Sequence, residues 1–535
     1  MSNPFETDLP QQSANYSPLS PISFLSRTAL VHQQGISVIH GERRWTWADT
    51  YTRCLRLASA LSKKGIGKGD TVSVMAPNIP AIFEAHFGVL MTGAVLNTLN
   101  IRLEAETLSY IFEHAETKVL LTDREFSSVI KRALSNVRHN IIVIDIDDPE
   151  IESGEFLGEM EYEEFLKEGD PEFEPVLPED DWQSVSLNYT SGTTGFPKGA
   201  VHTHNLLRNV EERGFRMAIS PSDTILNYLP LFHAFGYSEG ALMSLVTGAR
   251  QIITQLFDPD ECLDLIENEK VSVIHGFEAH AKGLTEAQLE GPRDLSSLRT
   301  GLFASGMHSA TPVIRRAIET LKPLKNMGGF GMTEVWLGVA IGTLGDTVEQ
   351  RSESSGAPGI GYRNRIVDPE TLAPCPVGVP GEWQVQGEFL MQGYYKKPAE
   401  TAASYTDDDW FRTGDMAEWR EDGYIRFLGR YKDMLKVGGE NVDPMEVEGL
   451  LLEHPAIHQV AVVGQRHDKM SEVPVAFVQL APGEQVSAAE VTAYCTGKVA
   501  GFKVPRRVEF IDEFPMTASG KIRKVELRER LEEEC

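Results

Sequence analysis

At 535 residues the chain exceeds what one ordinary hydrophobic core organises, so two or more domains are expected. Hydrophobic residues make up 41% and charged residues 24%, the balance of a globular chain, which excludes a fibrous or disordered class. Fifty basic against 78 acidic side chains leave a net charge of −28, which repels nucleic acid and anionic membrane surfaces and removes both as expected partners.

The first twelve residues, MSNPFETDLPQQ, lack the basic start and apolar run of a secretory signal, so a cytoplasmic location is expected. Cys54, Cys262, Cys375, Cys495 and Cys535 are scattered, with no CxxC pair and no spacing for a disulfide framework or zinc site. Tyr51 to Lys63 predicts a helix with Leu55, Leu57, Ala58 and Leu61 along one face. Thr71–Ala76, Lys118–Thr122 and Asn140–Asp145 read as buried strands, and Ala81–Leu99, carrying Glu84 and His86 and broken by glycines, as a buried helix and turn and not an integral membrane span. Strand and helix alternate, which predicts an α/β fold with largely parallel sheets. From Asp145 to Asp181 seventeen acidic side chains accompany a single lysine, Lys167, a composition expected of a solvated connecting segment.

Next comes Tyr189–Gly199, YTSGTTGFPKG. Its glycines let backbone N–H groups turn toward one point, Ser191, Thr193 and Thr194 add hydroxyls and Lys198 a cation, which suits a polyanion as well as it suits a hydroxyl-rich turn. Pro197 and Gly199 flank the lysine, so this is not the ordinary phosphate loop, where Ser or Thr follows Lys and opens a helix. Pro230–Tyr237, PLFHAFGY, sets His233 among aromatics, in a catalytic or a structural role. Ser272–Ile274 and Leu302–Ala304 resume the strand texture. Gly328–Glu334, GGFGMTE, places a carboxylate beside a hydroxyl in a glycine-rich turn, oxygen chemistry that suits Mg²⁺ shared with phosphates. In Trp410–Trp419, WFRTGDMAEW, Asp415 follows a Thr-Gly turn and either accepts both hydroxyls of a ribose or stabilises that turn. Beyond the strand Tyr424–Gly429 the texture changes. A helix around Pro444–Leu452, strands at Gln459–Val463 and Val475–Leu480 and a helix around Ala488–Val499 predict a separate α+β domain, dividing the chain into residues 1–429 and 430–535. Pro515–Lys524, PMTASGKIRK, ends the motifs with Lys521. Together these segments ask for a nucleoside triphosphate: a phosphate loop, a metal carboxylate, a ribose carboxylate and a lysine for developing negative charge.

From about Ile36 to Leu531 the sequence resembles the adenylate-forming superfamily, and within it the acyl-CoA synthetases. The resemblance is carried in order by YTSGTTGFPKG, PLFHAFG, GFGMTE, GEWQVQGEFLMQGYY (Gly381–Tyr395), WFRTGDMAEW, GRYKDMLKVGGENVDPMEVE (Gly429–Glu448) and PMTASGKIRK. It implies a large N-terminal domain binding ATP and acid, a small mobile C-terminal domain, and two steps: a carboxylate attacks MgATP to give acyl-AMP and pyrophosphate, then coenzyme A displaces AMP. Such chemistry needs charge neutralisation and positioning more than a protein nucleophile.

By matching position, the resemblance implies that Thr190, Ser191, Gly192, Thr193, Thr194 and Lys198 follow the β- and γ-phosphates. Gly328, Gly329, Phe330 and Gly331 bind the nucleotide, with Phe330 where the family usually has tyrosine beside the adenine. Thr333 touches the α-phosphate, Glu334 holds Mg²⁺, and Asp415 and Arg430 meet the ribose. Lys521 bridges the carboxylate and α-phosphate in the first step, and Lys432 is the pivot of a domain rotation that withdraws it. The same rotation brings in the strand around Lys436, Gly438, Gly439 and Glu440, opening a pantetheine tunnel. Lys503 and Arg506 face the CoA nucleotide. His233 is the gate between acyl and CoA channels, and His233, Phe235, Tyr237, Phe277, Gly306, Val335, Trp336 and Leu337 form an apolar acyl wall in which Trp336 shortens or re-routes the pocket. The wall has no evident basic residue, against a dicarboxylate. The N-terminal part resembles enzymes for short- to medium-chain aliphatic acids, including a methylthio-substituted propionate. An aryl acid, a separate carrier protein as acceptor, and a non-catalytic sensor are the competing expectations. The expected partners are therefore a small carboxylic acid, ATP and CoA, with a homodimer left open.

Overall fold

In the computed structural model the described residues are 7, 9, 11–151, 154–190, 196–438, 440–467, 469–516 and 522–533. They divide into two compact units: Met1–Gly214 with Leu231–Gln255 and Met391–Lys397, and Phe215–Pro230 with Leu256–Leu390 and Pro398–Cys535. Among the described residues no helix is long and apolar enough to cross a membrane.

The first unit is built on an eight-stranded sheet ordered Gly393–Tyr394, Lys198–Thr203, Ser184–Thr190, Val95–Thr98, Thr71–Met75, Thr117–Asp123, Ile142–Ile146 and Met160–Glu161. Pairing is parallel from Ser184–Thr190 through Met160–Glu161, and the central strands Thr71–Met75 and Thr117–Asp123 are buried on both faces save for Lys118, as helix-covered strands are. The helix Trp47–Lys63 matches the expected amphipathic pattern and starts at a capping box between Thr46 and Asp49. Every residue of the helix Pro80–Gly88 is buried, and Gly93, at φ 82°, turns the chain into the strand Val95–Thr98.

The acidic stretch departs from the solvated connector expected of it. The Asp145 carboxylate accepts from the N–H groups of Leu157 and Gly158, Asp148 is ion-paired with Arg43 at 2.7 Å, and Glu163 with Arg53 at 2.6 Å. The helix Tyr162–Glu168, which carries Glu163, buries Tyr162, Phe165 and Leu166. Composition reports the outward side chains, while the few inward ones fix the segment.

In the second unit the parallel strands Thr224–Asn227, Val273–Ile274, Thr300–Ala304 and Lys325–Met332 are extended antiparallel by Trp336–Ile341 and Ala357–Pro358. An antiparallel sheet of Tyr362–Val367, Gly381–Gly387, Phe411–Trp419 and Ile425–Arg430 follows. The last sheet joins Glu440–Val442, Leu435–Val437, Ser471–Leu480, Ile457–His467 and Arg507–Phe510 around a core of Val447, Leu451, Val462 and Val478. The helix Pro444–Leu452 falls where expected, whereas Ala488–Cys495 stops four residues early because Thr496 turns extended and Gly497 takes φ 79°.

Candidate active site

In the first unit Ser184–Thr190 and Lys198–Thr203 pair antiparallel with Thr190 opposite Lys198, so the glycine-rich segment hangs from a β-hairpin instead of opening a helix. Ser191, Gly192, Thr193 and Thr194 lie outside the described residues. The stem is fixed by aromatic rings. Tyr189 Oη is 2.7 Å from His114 Nδ1, Tyr110 stacks on Phe196 at 4.4 Å, and Lys198 Nζ lies 4.0 Å over the Tyr394 ring. Burial, with Lys396 and Lys397 nearby, holds His114 below its ordinary pKa, so its ring is neutral. A Cβ at Gly199 would press on the Leu187 side chain at 2.7 Å and on the Tyr189 ring at 3.2 Å, so a larger residue there would disturb the stem.

The same unit carries His233, Phe235 and Tyr237. His233 Nδ1 accepts from the Phe235 N–H at 3.2 Å, capping the short turn Ala234–Gly236, and a π-helix follows over Tyr237–Leu242. Phe235 and Tyr237 are buried, which leaves His233 as the more accessible of the three. Single π-turns of this kind concentrate at functional sites.

In the second unit the strand Lys325–Met332 is buried from Asn326 to Gly329, then emerges at Phe330, Gly331, Met332 and Thr333. Gly328 lies so close to Ser354 that a Cβ would meet its carbonyl oxygen at 2.5 Å. Phe330 stacks on Trp383 at 4.1 Å with the planes 26° apart, which orients its ring. Glu334 is buried in the short turn Thr333–Val335. No group of three His, Cys, Asp or Glu side chains capable of holding a metal occurs among the described residues, so Mg²⁺ at Glu334 would take its remaining oxygens from phosphates and water, its usual manner of binding. Trp336 follows, fully buried, at φ 62° and ψ −157°, a backbone region that a bulky residue adopts only under strain. The Tyr362 hydroxyl donates toward the Val335 carbonyl at 2.7 Å and the Leu337 carbonyl at 3.1 Å, clamping the strained residue from both sides.

Asp415 and Arg430 face each other across neighbouring antiparallel strands, with Arg430 Nε 2.9 Å from Asp415 Oδ1. The Asp415 N–H donates to Thr413 Oγ1 at 3.0 Å and the Thr413 hydroxyl to the Trp383 carbonyl at 2.6 Å, so the carboxylate and the ring that orients Phe330 share one framework. Gly306, at φ 111°, is held by Arg426 Nε donating to its carbonyl at 2.9 Å, and the Phe277 N–H donates to His280 Nδ1 at 3.0 Å. The expected acyl wall therefore divides: His233, Phe235 and Tyr237 belong to the first unit, and Phe277, Gly306, Val335, Trp336 and Leu337 to the second.

Lys432 sits in the short turn Tyr431–Asp433, which Arg528 fastens by donating to Asp433 Oδ1 at 2.7 Å. Lys436 is exposed on Leu435–Val437, Gly438 turns the chain at φ 61°, and Gly439 lies outside the described residues. Lys503 is paired with Glu446 at 2.6 Å, while the Arg506 side chain is exposed. Lys521 also lies outside the described residues; Met516 and Ile522, which flank its loop, pair as an antiparallel bridge.

Three positions escaped sequence reading: His114, Tyr362 and the carboxylate pair of half-buried Glu278 and buried Glu448. Glu278 opens the helix Glu278–Glu290 and is pushed up to about 7 by burial and by the like charge of Glu448, against the opposing pull of Lys282 and Lys524. Glu448 itself is buried and ion-paired with Lys524 at 2.6 Å. A raised carboxyl favours the protonated folded state, so its contribution is fully present below about 4.5 and is lost as pH rises through about 7. Thermal unfolding of Glu278→Gln between pH 5 and 8 should show a flatter pH dependence than wild type, with the variant the more stable at pH 8.

Residues 25–395 match the AMP-binding enzyme family, and residues 446–521 match the AMP-binding enzyme C-terminal domain. An acetate–CoA ligase of Humulus lupulus is 35% identical over 98% of this chain and 97% of its own, and a 2-methylpropanoate–CoA ligase of the same plant is 34% identical over the same shares. Among solved structures, that of the anthranilate CoA ligase AuaEII with anthranoyl-AMP superposes with a TM-score of 0.88 at 26% identity, covering 98% of this chain and 99% of that one.

Proposed function

The chain belongs to the AMP-binding enzyme family and is an AMP-forming acid–CoA ligase using ATP, Mg²⁺ and CoA, and from that premise we propose that its acid is a short- to medium-chain aliphatic carboxylic acid. The observation that carries this reading is Trp336, a fully buried indole clamped by Tyr362 two positions after Glu334, which fills space a longer or flat aryl acid would need. The acetate and 2-methylpropanoate ligases among its relatives support the same class, methylthio-substituted acids included.

The residue roles follow the chemistry of each environment. Asp415, buried and paired with Arg430, suits a ribose diol, and Phe330, oriented by Trp383, offers a ring for adenine. Lys198, with Thr190 and the loop beyond it, suits the outer phosphates. Mg²⁺ at Glu334 supplies neutralisation of phosphate charge. Lys521 is the cation for the first step. His233 separates acyl from thiol approach, and Lys436, Gly438, Gly439, Lys503 and Arg506 serve the CoA arm. Residues 430–535 form the moving domain with its pivot at Lys432, and the protein works in the cytoplasm, its Cys54, Cys262, Cys375 and Cys495 all free thiols.

The test is pyrophosphate release from MgATP over straight-chain, branched, methylthio and aromatic acids, with and without CoA. Turnover that needs CoA and peaks on aliphatic acids of four to ten carbons is expected. Benzoate-type acids reacting far faster would overturn the acid class, in favour of an aryl ligase like the anthranilate enzyme. Adenylate formation that stalls with CoA would point to a carrier-protein acceptor.

A further inference from the structure

We propose that His86 is a positioning residue for the acyl wall: its imidazole edge holds the Leu231 carbonyl and its face backs Tyr237, so one ring sets both the approach to His233 and the acid length accepted. The inference rests on the reading that the segment from Leu231 to Tyr237 faces the acyl group.

Leu231 precedes His233 by two residues, and the eight-stranded sheet and its helix grip this segment through three side chains. The Leu231 N–H donates to Asn78 Oδ1 at 2.7 Å, the Leu231 carbonyl accepts from His86 Nε2 at 2.9 Å, and the Phe232 carbonyl accepts from the Thr98 hydroxyl at 3.0 Å. Asn78 follows the strand Thr71–Met75, His86 lies in the helix Pro80–Gly88, and Thr98 ends the strand Val95–Thr98. The backbone before His233 is thus fixed at consecutive positions by groups that are themselves buried.

His86 differs from the other two in having a second contact. Its ring and that of Tyr237 lie 3.9 Å apart, centroid to centroid, only 10° from parallel, and both residues are buried. A carbonyl can only accept, so Nε2 carries a proton. Burial pushes the imidazole down to about 3, which keeps it neutral across working pH. Nδ1 has no hydrogen-bond partner among the described residues, so the ring is held by its Nε2 edge and by the stack. Tyr237 opens the π-helix Tyr237–Leu242, so the stack fixes where that turn begins.

Two substitutions of similar size separate the two contacts. Gln keeps a donor and loses the face; Phe keeps the face and loses the donor. His86→Gln is expected to shift the ratio of kcat/KM between long and short straight-chain acids about tenfold toward the long ones, the scale of one methylene's worth of pocket. His86→Phe is expected to keep that ratio while slowing CoA-dependent thioester formation about threefold to tenfold more than pyrophosphate formation, the scale of one net hydrogen bond. Circular dichroism and thermal unfolding accompany both. Identical acid profiles in wild type and both variants, or a uniform loss across acids that follows the fall in Tm, would overturn the proposal. A wild type that prefers aryl acids would overturn the acid class instead, and the variant-to-wild-type ratio would still report on His86.

Discussion

Arg213→Met should lower the stability of the first unit by about 3–5 kcal/mol, because it leaves a carboxylate buried without its cation. Both side chains of the Arg213–Glu239 pair are 0% exposed, with Nε 2.5 Å from Oε1. Arg213 also donates to the Asn209 carbonyl at 3.1 Å, to the Asn209 side chain and to the Ser238 hydroxyl, so a single guanidinium ties the helix Leu206–Arg216 to the π-helix that begins at Tyr237. Burial holds the Glu239 carboxyl above its ordinary value and Arg213 pulls it back down. Urea midpoints are the measurement. Arg213→Met with Glu239→Leu should recover most of the loss, since a well-packed apolar pair removes both desolvation penalties. A double variant no better than the single one would mean that packing around Arg213, and not charge, is what the substitution destroys.

Asp415→Ala should lower kcat/KM for ATP by about two to three orders of magnitude, because two charge-assisted hydrogen bonds to a ribose contribute about 1.5–3 kcal/mol each. The carboxylate is 1% exposed and its partner Arg430 42% exposed. Removing the acid therefore leaves a guanidinium that water still reaches, and the cost to folding is small beside the cost to binding. Dideoxy-ATP separates the two. It should be a poor substrate for wild type and no worse than ATP for the variant. If the variant still discriminates between the nucleotides, Asp415 does not hold the ribose and instead serves its own turn.

What the sequence made legible were features whose cause is local. Thr71–Ala76, Lys118–Thr122 and Pro444–Leu452 follow from apolar runs or an N-terminal proline, and the structure gives strands and a helix at those places. Asp415 was singled out from its turn and Phe330 from the family resemblance, but the partners that orient them, Arg430 and Trp383, come from pairing across sheets that no local pattern encodes. His86 read as one polar residue in an apolar stretch because its meaning lies in a ring 151 positions away, at Tyr237. The acidic run misled for the opposite reason: its average composition describes solvent, while Asp145, Tyr162 and Phe165 are inward exceptions. Trp336 was noticed for its bulk, yet its φ of 62° has no signature in residue type, since glycine is what that angle ordinarily announces.

That angle limits what can replace tryptophan at position 336. A phenylalanine, leucine or alanine at 336 would surrender part of the indole's packing, up to about 3–5 kcal/mol for the smallest, while keeping backbone strain of about 1–3 kcal/mol. Only glycine gives the strain back as it empties the space. At equal widening glycine is thereby about 1–3 kcal/mol better off than alanine, so a space emptied at this position should settle on glycine.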